Sequence, residues 1–182
     1  DVLSPTPDHA ADPASMLRSL APVLERIASS AAAVIVTTPA TLPTLSFPPE
    51  TIERIVVNLV RNASEAIRLQ HSTTPDTPSG EIHVTLALVA ARVQLTVEDN
   101  GPGMPPAIAS AYLQPEPLPE GVTRGLGHRI VHQLVAASAG QLSIRVRPGH
   151  GTIFCIKWNV PENPSTEPCP SDANSTPPPT PE

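Results

Sequence analysis

The stretch Val97-Glu98-Asp99-Asn100-Gly101-Pro102-Gly103-Met104 (VEDNGPGM) decides how this chain is read. It closes an alternating run, Arg92 to Glu98, of the kind that forms a half-buried strand. At the end of that strand it sets a carboxylate, an amide and two glycines. Glycines there permit tight turns and let a ligand approach the backbone closely. A carboxylate at a strand end can accept a hydrogen bond from an exocyclic amine such as adenine N6. Taken alone, the same residues also make an ordinary Asp-Asn-Gly turn, so the weight falls on their surroundings.

Working upstream, Glu81 to Val89 alternates in the same way, and Ala90-Ala91 separates the two runs, which predicts a hairpin. Residues His71 to Gly80 break what precedes. From Glu50 to Leu69 the positions Ile52, Ile55, Val56, Leu59, Val60, Ala63, Ala66 and Ile67 make one apolar face, with Pro49 in the first turn, so this segment is the strongest helix. Further back, Ala33 to Thr37 reads as a strand, and Thr44 to Phe47 as a short extended piece. Met16, Leu17, Leu20, Val23, Leu24 and Ile27 recur at helical spacing from Ala14, with Asp12 or Ser15 as cap and Pro22 arguing for a kink or a later start.

Downstream, a short helix is expected around Pro106 to Tyr112, and a proline-rich loop from Leu113 to Arg124. A helix follows from Leu126 to Ala139, with Ile130, Val131, Leu134 and Val135 inward and Gly140 at its C-terminus. Gln141 to Arg147 and Thr152 to Trp158 form a second hairpin around Pro148-Gly149-His150-Gly151.

The bulk numbers bound the function. The chain has 182 residues, 40% of them apolar, and 25 prolines that crowd the start, the middle loop and the end. This predicts one domain over residues 14–160, a linker over 1–13 and a disordered Pro-rich tail over 161–182. A net charge of −6 without a basic run argues against nucleic acid as a partner. Two cysteines, Cys155 in an apolar strand and Cys169 in the tail, make neither a disulfide framework nor a zinc cluster, and Cys155 reads as core. No run reaches the roughly 18 to 20 apolar residues that span a bilayer, so no membrane contact is expected of this piece. A cytoplasmic setting is expected, with the first residue being Asp1 leaving room for a longer, membrane-anchored parent.

Three elements carry candidate chemistry. Asn58 and Asn62 lie one turn apart on the Glu50 helix and project from one face, where an amide oxygen is a plausible hard ligand for Mg²⁺ beside phosphate oxygens; they also suit a solvent-facing role. Asp99 and its glycines are the second. Gly125-Leu126-Gly127 opens a helix, whose unsatisfied N–H groups suit phosphate.

Together NLVRNASEA (58–66), VEDNGPGM (97–104), GLGHRIV (125–131) and GTIF (151–154) resemble the N, G1 and G2 boxes and closing Gly-Thr strand of the ATP-binding catalytic domains of sensor histidine kinases, in the GHKL superfamily. The resemblance spans about Ala14 to Trp158. It implies an α/β fold, a two-layer sandwich of the GHKL (Bergerat) type in which a mixed sheet is backed by helices, with ATP between the helices. Carried over, Asn62 coordinates Mg²⁺, Asp99 reads the adenine amino group, and Gly101 and Gly103 shape that pocket. Ala66 and Met104 line the base, Thr152 supports Asp99 through water, and Gly125, Leu126 and Gly127 approach the phosphates. Asn58 stands where the gyrase, Hsp90 and MutL branches place a Glu that activates water, which favours phosphoryl transfer over hydrolysis.

The departures are specific. Thr123 and His128 replace the first Gly and the last Leu of the usual Gly-Thr-Gly-Leu-Gly-Leu run, and the Pro105 to Arg124 loop is short and lacks the family's Phe-containing box. Glu65 stands where a Lys is frequent, leaving Arg124 as the expected cation, with Arg61 and Arg129 weaker. None of the six histidines has the setting of a phosphoacceptor; His128 and His132, one turn apart, read as residues of a surface helix. The function implied is transfer of the ATP γ-phosphoryl group to a His on a separate or upstream dimerisation domain, with a response regulator as further partner and a homodimeric parent. The alternative is a degenerate module serving as a non-catalytic adaptor or response-regulator docking domain.

Overall fold

The computed structural model describes residues 12–28, 31–74, 76–114 and 126–161. Most of the expected linker, nearly all of the expected tail and most of the Leu113 to Arg124 loop lie outside these residues.

Five strands form one sheet in the order β1-β2-β3-β5-β4, with β1 Ala32–Thr37, β2 Gly80–Val89, β3 Arg92–Asp99, β4 Gln141–Arg147 and β5 Gly151–Asn159. β1 runs parallel to β2 and every other neighbouring pair is antiparallel, so the sheet is mixed, as expected. Both hairpins form where the alternation placed them. The Thr44 to Phe47 piece is not a strand; Leu42 and Leu45 are buried there, and the Phe47 ring packs 5.4 Å from that of Trp158.

Helices cover one face of the sheet. α1 (Pro13–Ala28) starts on Asp12, whose carboxylate accepts from the N–H groups of Ala14 at 3.2 Å, Ser15 at 3.3 Å and, across the chain, Leu42 at 3.0 Å. Pro22 lies inside this helix on its exposed side, so it neither delays the start nor ends the helix. Val23, expected inward, is among the exposed large apolar residues. α2 (Glu50–Thr73) runs four residues past Leu69, with the Ser72 and Thr73 hydroxyls donating to the Leu69 carbonyl in its last turn. Its face of Ile52, Ile55, Val56, Leu59, Val60, Ala63 and Ile67 is buried against the inward side chains of β2, β3 and β5, among them Ile82, Leu86, Leu95, Ile156 and Trp158. Full burial of each large one contributes roughly 1.5 to 3 kcal/mol.

α3 is Pro106–Leu113 and α4 is Leu126–Ala137. The left-handed residue after α4 is Ala139 (φ 52°), not Gly140. Gly140 is small for another reason: a Cβ there would stand 2.6 Å from Trp158 Nε1.

The other face of the sheet carries no helix of the described residues. Cys155 is half-buried on it, opposite Thr96 and Ser143, and so is not a core residue as its apolar surroundings in sequence suggested.

Candidate functional site

Asp99 is the last residue of β3 and is 8% exposed. Its Oδ1 accepts from Gly101 N–H at 2.9 Å and Thr152 N–H at 3.3 Å, so Oδ2 is the oxygen left to accept from a ligand. Burial pushes the carboxyl pKa up from its ordinary value; the two N–H groups oppose this, and neighbouring Glu98 adds to it. Thr152 thus meets Asp99 through its backbone N–H.

The start of β5 makes this contact because residue 151 is glycine. Gly151 has φ +106°, and a Cβ there would run into the Asp99 carbonyl oxygen. The loop after Asp99 is splinted from both sides. Asn100 Nδ2 donates to the Ser79 carbonyl at 2.9 Å while its Oδ1 accepts from Glu81 N–H at 2.8 Å. From the β4–β5 turn, Gly149 N–H donates to the Pro102 carbonyl at 2.9 Å.

α2 supplies the facing wall at two stations. A Cβ on Gly101 would stand 3.2 Å from the Ile67 side chain, which places the Asp99 loop beside Ile67. A Cβ on Gly127 would stand 3.1 Å from Asn58 Oδ1 and 3.2 Å from Asn62 Oδ1, which places the first turn of α4 against both amides. At 1.5 Å per residue Ile67 lies about 7.5 Å along the helix from Asn62 and about 13.5 Å from Asn58. Asn58 also donates from Nδ2 to the Arg54 carbonyl at 2.7 Å, one turn back.

Between the stations lies a cleft of about 400 Å³, within the range of small-molecule sites. Of the residues singled out from sequence, Asn62, Ala66, Asp99, Gly103, Met104 and Thr152 line it. Gly101 enters through its hydrogen bond to Asp99, and Asn58 and Gly127 through their mutual contact. Arg124 and Gly125 lie outside the described residues, and Leu126 opens α4. Glu65 lines the cleft as well, and Arg61 is exposed.

Sequence reasoning missed Ala63, Leu69, Ile108, Tyr112, His128 and Phe154, all of which line the cleft. His128 is the largest correction: it is 4% exposed, not on a surface helix face. Its ring centroid is 3.4 Å from that of Tyr112 on α3 and 5.6 Å from that of Phe154 on β5. The one hint in the sequence was that His128 stands where the resembled pattern has an apolar Leu.

The sequence profile of the family described as histidine kinase-, DNA gyrase B-, and HSP90-like ATPase matches residues 48–162. The chain is 34% identical over 111 residues to the C4-dicarboxylate transport sensor protein DctS of Rhodobacter capsulatus, covering 61% of this chain and 16% of that protein. It is 34% identical over 113 residues to the sensory histidine kinase/phosphatase NtrB of Salmonella typhimurium, covering 60% and 32%. The chain therefore spans a third or less of the length of these curated relatives. In fold it is similar to the histidine kinase domain of the Erythrobacter litoralis EL346 blue-light activated histidine kinase, with a TM-score of 0.63 and 24% identity, covering 88% of this chain and 66% of that one.

Proposed function

Because this chain belongs to the histidine kinase-, DNA gyrase B- and HSP90-like ATPase family, we propose that it binds Mg-ATP in the α2–α4 cleft and donates the γ-phosphoryl group to a histidine on another domain. The observation that carries this reading is the pairing of two unlike stations on one helix: Gly101, in the loop after Asp99, beside Ile67, and the α4 N-terminus against Asn58 and Asn62.

At the first station Asp99 Oδ2 accepts from adenine N6, with Oδ1 pinned by two backbone N–H groups, while Ala66 and Met104 flank the base. Asn100 and Gly149 keep that loop in place before any ligand arrives, so little ordering is left to do on binding. At the second station the N-terminal end of α4, with the positive end of the helix dipole, faces the phosphates. No group of three or more His, Cys, Asp or Glu residues among those described is placed to hold a metal. Mg²⁺ therefore fits as an ion taking one oxygen from Asn62 and the rest from phosphates and water, and it supplies charge neutralisation on the transferred group.

An amide at Asn58, bonded back to Arg54, leaves no carboxylate there to activate water. This favours transfer to a protein acceptor: the bond from the γ-phosphorus to the ADP oxygen breaks, a bond to an imidazole nitrogen forms, and the imidazole proton leaves to a base on the acceptor domain. That domain, a response regulator and a homodimeric parent are the partners this reading requires. No helix of the described residues is long and apolar enough to cross a membrane.

The test is titration with a fluorescent ATP analogue, with and without Mg²⁺. Mg-dependent binding that Asp99→Asn and Asn62→Asp each weaken by tenfold or more supports the reading; absence of Mg-dependent binding, or variants that bind as the unmodified chain does, overturns it. Mixing the domain with a separate acceptor domain and radiolabelled ATP then tests transfer.

A further inference from the structure

The sheet face turned away from the helices holds a groove of about 590 Å³ over β3, β5 and β4, with Gln94, Glu98, Arg145, Arg147, Cys155 and Lys157 among its lining. Its charge is opposite in sign to that of the whole chain: three cations and one carboxylate line it, whereas the chain carries −6. Glu98 is already taken by Arg147, whose Nη1 is 3.4 Å from its Oε1. Arg145 and Lys157 make no ion pair among the described residues, so two cations are left for a ligand of the groove. Arg145 on β4 stands opposite Ile153, and Lys157 is four residues further along β5. With about 3.4 Å per residue and about 4.8 Å between strands, the two positions are about 14 Å apart. Cys155 lies between them on the same face of β5.

The chain itself supplies an acidic segment of matching spacing. β5 ends at Asn159, and residues 162–182 follow with Glu162, Glu167, Asp172 and Glu182 and no Lys, Arg or His. In an extended proline-rich conformation of about 3.1 Å per residue, Glu162 and Glu167 are about 15 Å apart, close to the separation of Lys157 and Arg145. Pro161, Pro164, Pro168 and Pro170 lack N–H groups, which disfavours ladder pairing at a sheet edge and leaves side-chain contact over the face as the way to bind. Exposed ion pairs are individually weak. A segment tethered to the strand that floors the groove nevertheless meets it at high effective concentration, without the association cost of a separate partner.

We propose that residues 162–170 dock along this groove, running back antiparallel to β5, with Glu162 at Lys157 and Glu167 at Arg145. The docked segment covers the Cys155 thiol between the two cations. The sheet separates this surface from the α2–α4 cleft, so the inference does not rest on the proposed ATP site.

The experiment follows alkylation of Cys155 by N-ethylmaleimide on the full chain carrying Cys169→Ser, which leaves Cys155 as its one thiol. Glu162→Gln with Glu167→Gln is expected to speed alkylation about threefold, the population change that two exposed ion pairs supply. Arg145→Gln with Lys157→Gln is expected to speed it as much, although loss of cations by itself disfavours the thiolate and would slow the reaction. All four substitutions together should add nothing to either pair, because both pairs break the same contact. Salt at about 0.5 M should speed the parent chain and leave the Glu variant unchanged. A rate indifferent to the Glu pair, slowing with the Arg/Lys pair, or effects that multiply overturns the proposal. Protection that grows with protein concentration overturns it too, since the occupant would then be the segment of a second copy. So does a thiol that is shielded only when a separate acidic protein is added. Melting temperatures establish that each variant is folded; should the Arg/Lys pair unfold the chain, the Glu pair and the salt response still decide.

Discussion

Thr152 and Asp99 meet through a backbone: the Thr152 N–H donates to Asp99 Oδ1 at 3.3 Å, beside the Gly101 N–H at 2.9 Å. The carboxylate is thus held by groups that would hold an amide oxygen equally well. Asp99→Asn is expected to keep the fold and lose the ligand, with ATP affinity reduced tenfold or more.

The sign of its effect on stability follows from burial. The folded carboxyl pKa is raised above the ordinary value of about 3.8, so between the two the native state binds the proton more strongly. Stability then falls as pH rises through that window and is level above it. Asp99→Asn removes the ionisation. Its melting temperature relative to the unmodified chain should rise across the window and stay at or above parity at neutral pH. Thermal melts from pH 4 to 8 check this; a variant that melts well below the unmodified chain at pH 7 contradicts it.

Gly151 and Gly149 separate steric conflict from backbone strain. Both have positive φ, +106° and +75°, but a Cβ on Gly151 collides with the Asp99 carbonyl while one on Gly149 meets nothing within 4 Å. Gly149→Ala should cost about 1 kcal/mol, the left-handed penalty alone. Gly151→Ala should cost about 3 kcal/mol or more and also weaken ATP binding, since it moves Thr152 away from Asp99. Denaturant unfolding of the two variants measures the difference.

Gly127→Ala should divide binding from stability in the opposite sense. Within a helix, Gly to Ala gains up to about 1 kcal/mol, yet the new methyl would stand 3.1 to 3.2 Å from Asn58 and Asn62 Oδ1, forcing both amides to yield by a few tenths of an ångström. Unfolding free energy is expected to change by less than about 1 kcal/mol while Mg-dependent ATP affinity drops several-fold. A stable variant with unaltered affinity would show that the Asn62–Gly127 contact does not shape the site.

These contacts also show where the sequence was legible. The α2 face was readable because one apolar stripe at helical spacing admits one burial, and that stripe carried Asn58 and Asn62 to the cleft edge with it. VEDNGPGM was readable because a strand must end before its glycines. In β5 both parities are apolar, Ile153 and Cys155 against Phe154 and Ile156, so alternation could not say which set faced the helices, and Cys155 was placed on the wrong side. His128 was misread because its burial depends on Tyr112 and Phe154, which tertiary folding alone brings to it. The Thr152 bond to Asp99 is made by a backbone amide, which side-chain identity does not announce.

The hairpin between β2 and β3 offers the last prediction. Its turn was located by the break in alternation at Ala90-Ala91, and both residues adopt left-handed angles, φ 48° and 58°. Two positive φ values in a two-residue loop suit Asn-Gly, because such turns match the twist of the paired strands. Alanine pays roughly 1 to 2 kcal/mol to enter that region, and the neighbours Leu88 and Val89 are half exposed, so packing there does little to offset it. The double substitution Ala90→Asn with Ala91→Gly should therefore stabilise the chain by about 1 to 2 kcal/mol, raising its melting temperature by roughly 2 to 8 °C at a few degrees per kcal/mol. The turn lies at the far end of β3 from Asp99, so ATP affinity should not change. Ala90→Val with Ala91→Val, β-branched residues ill suited to positive φ, should shift the melt in the other direction, and the pair of melts together tests whether this turn limits the stability of the sheet.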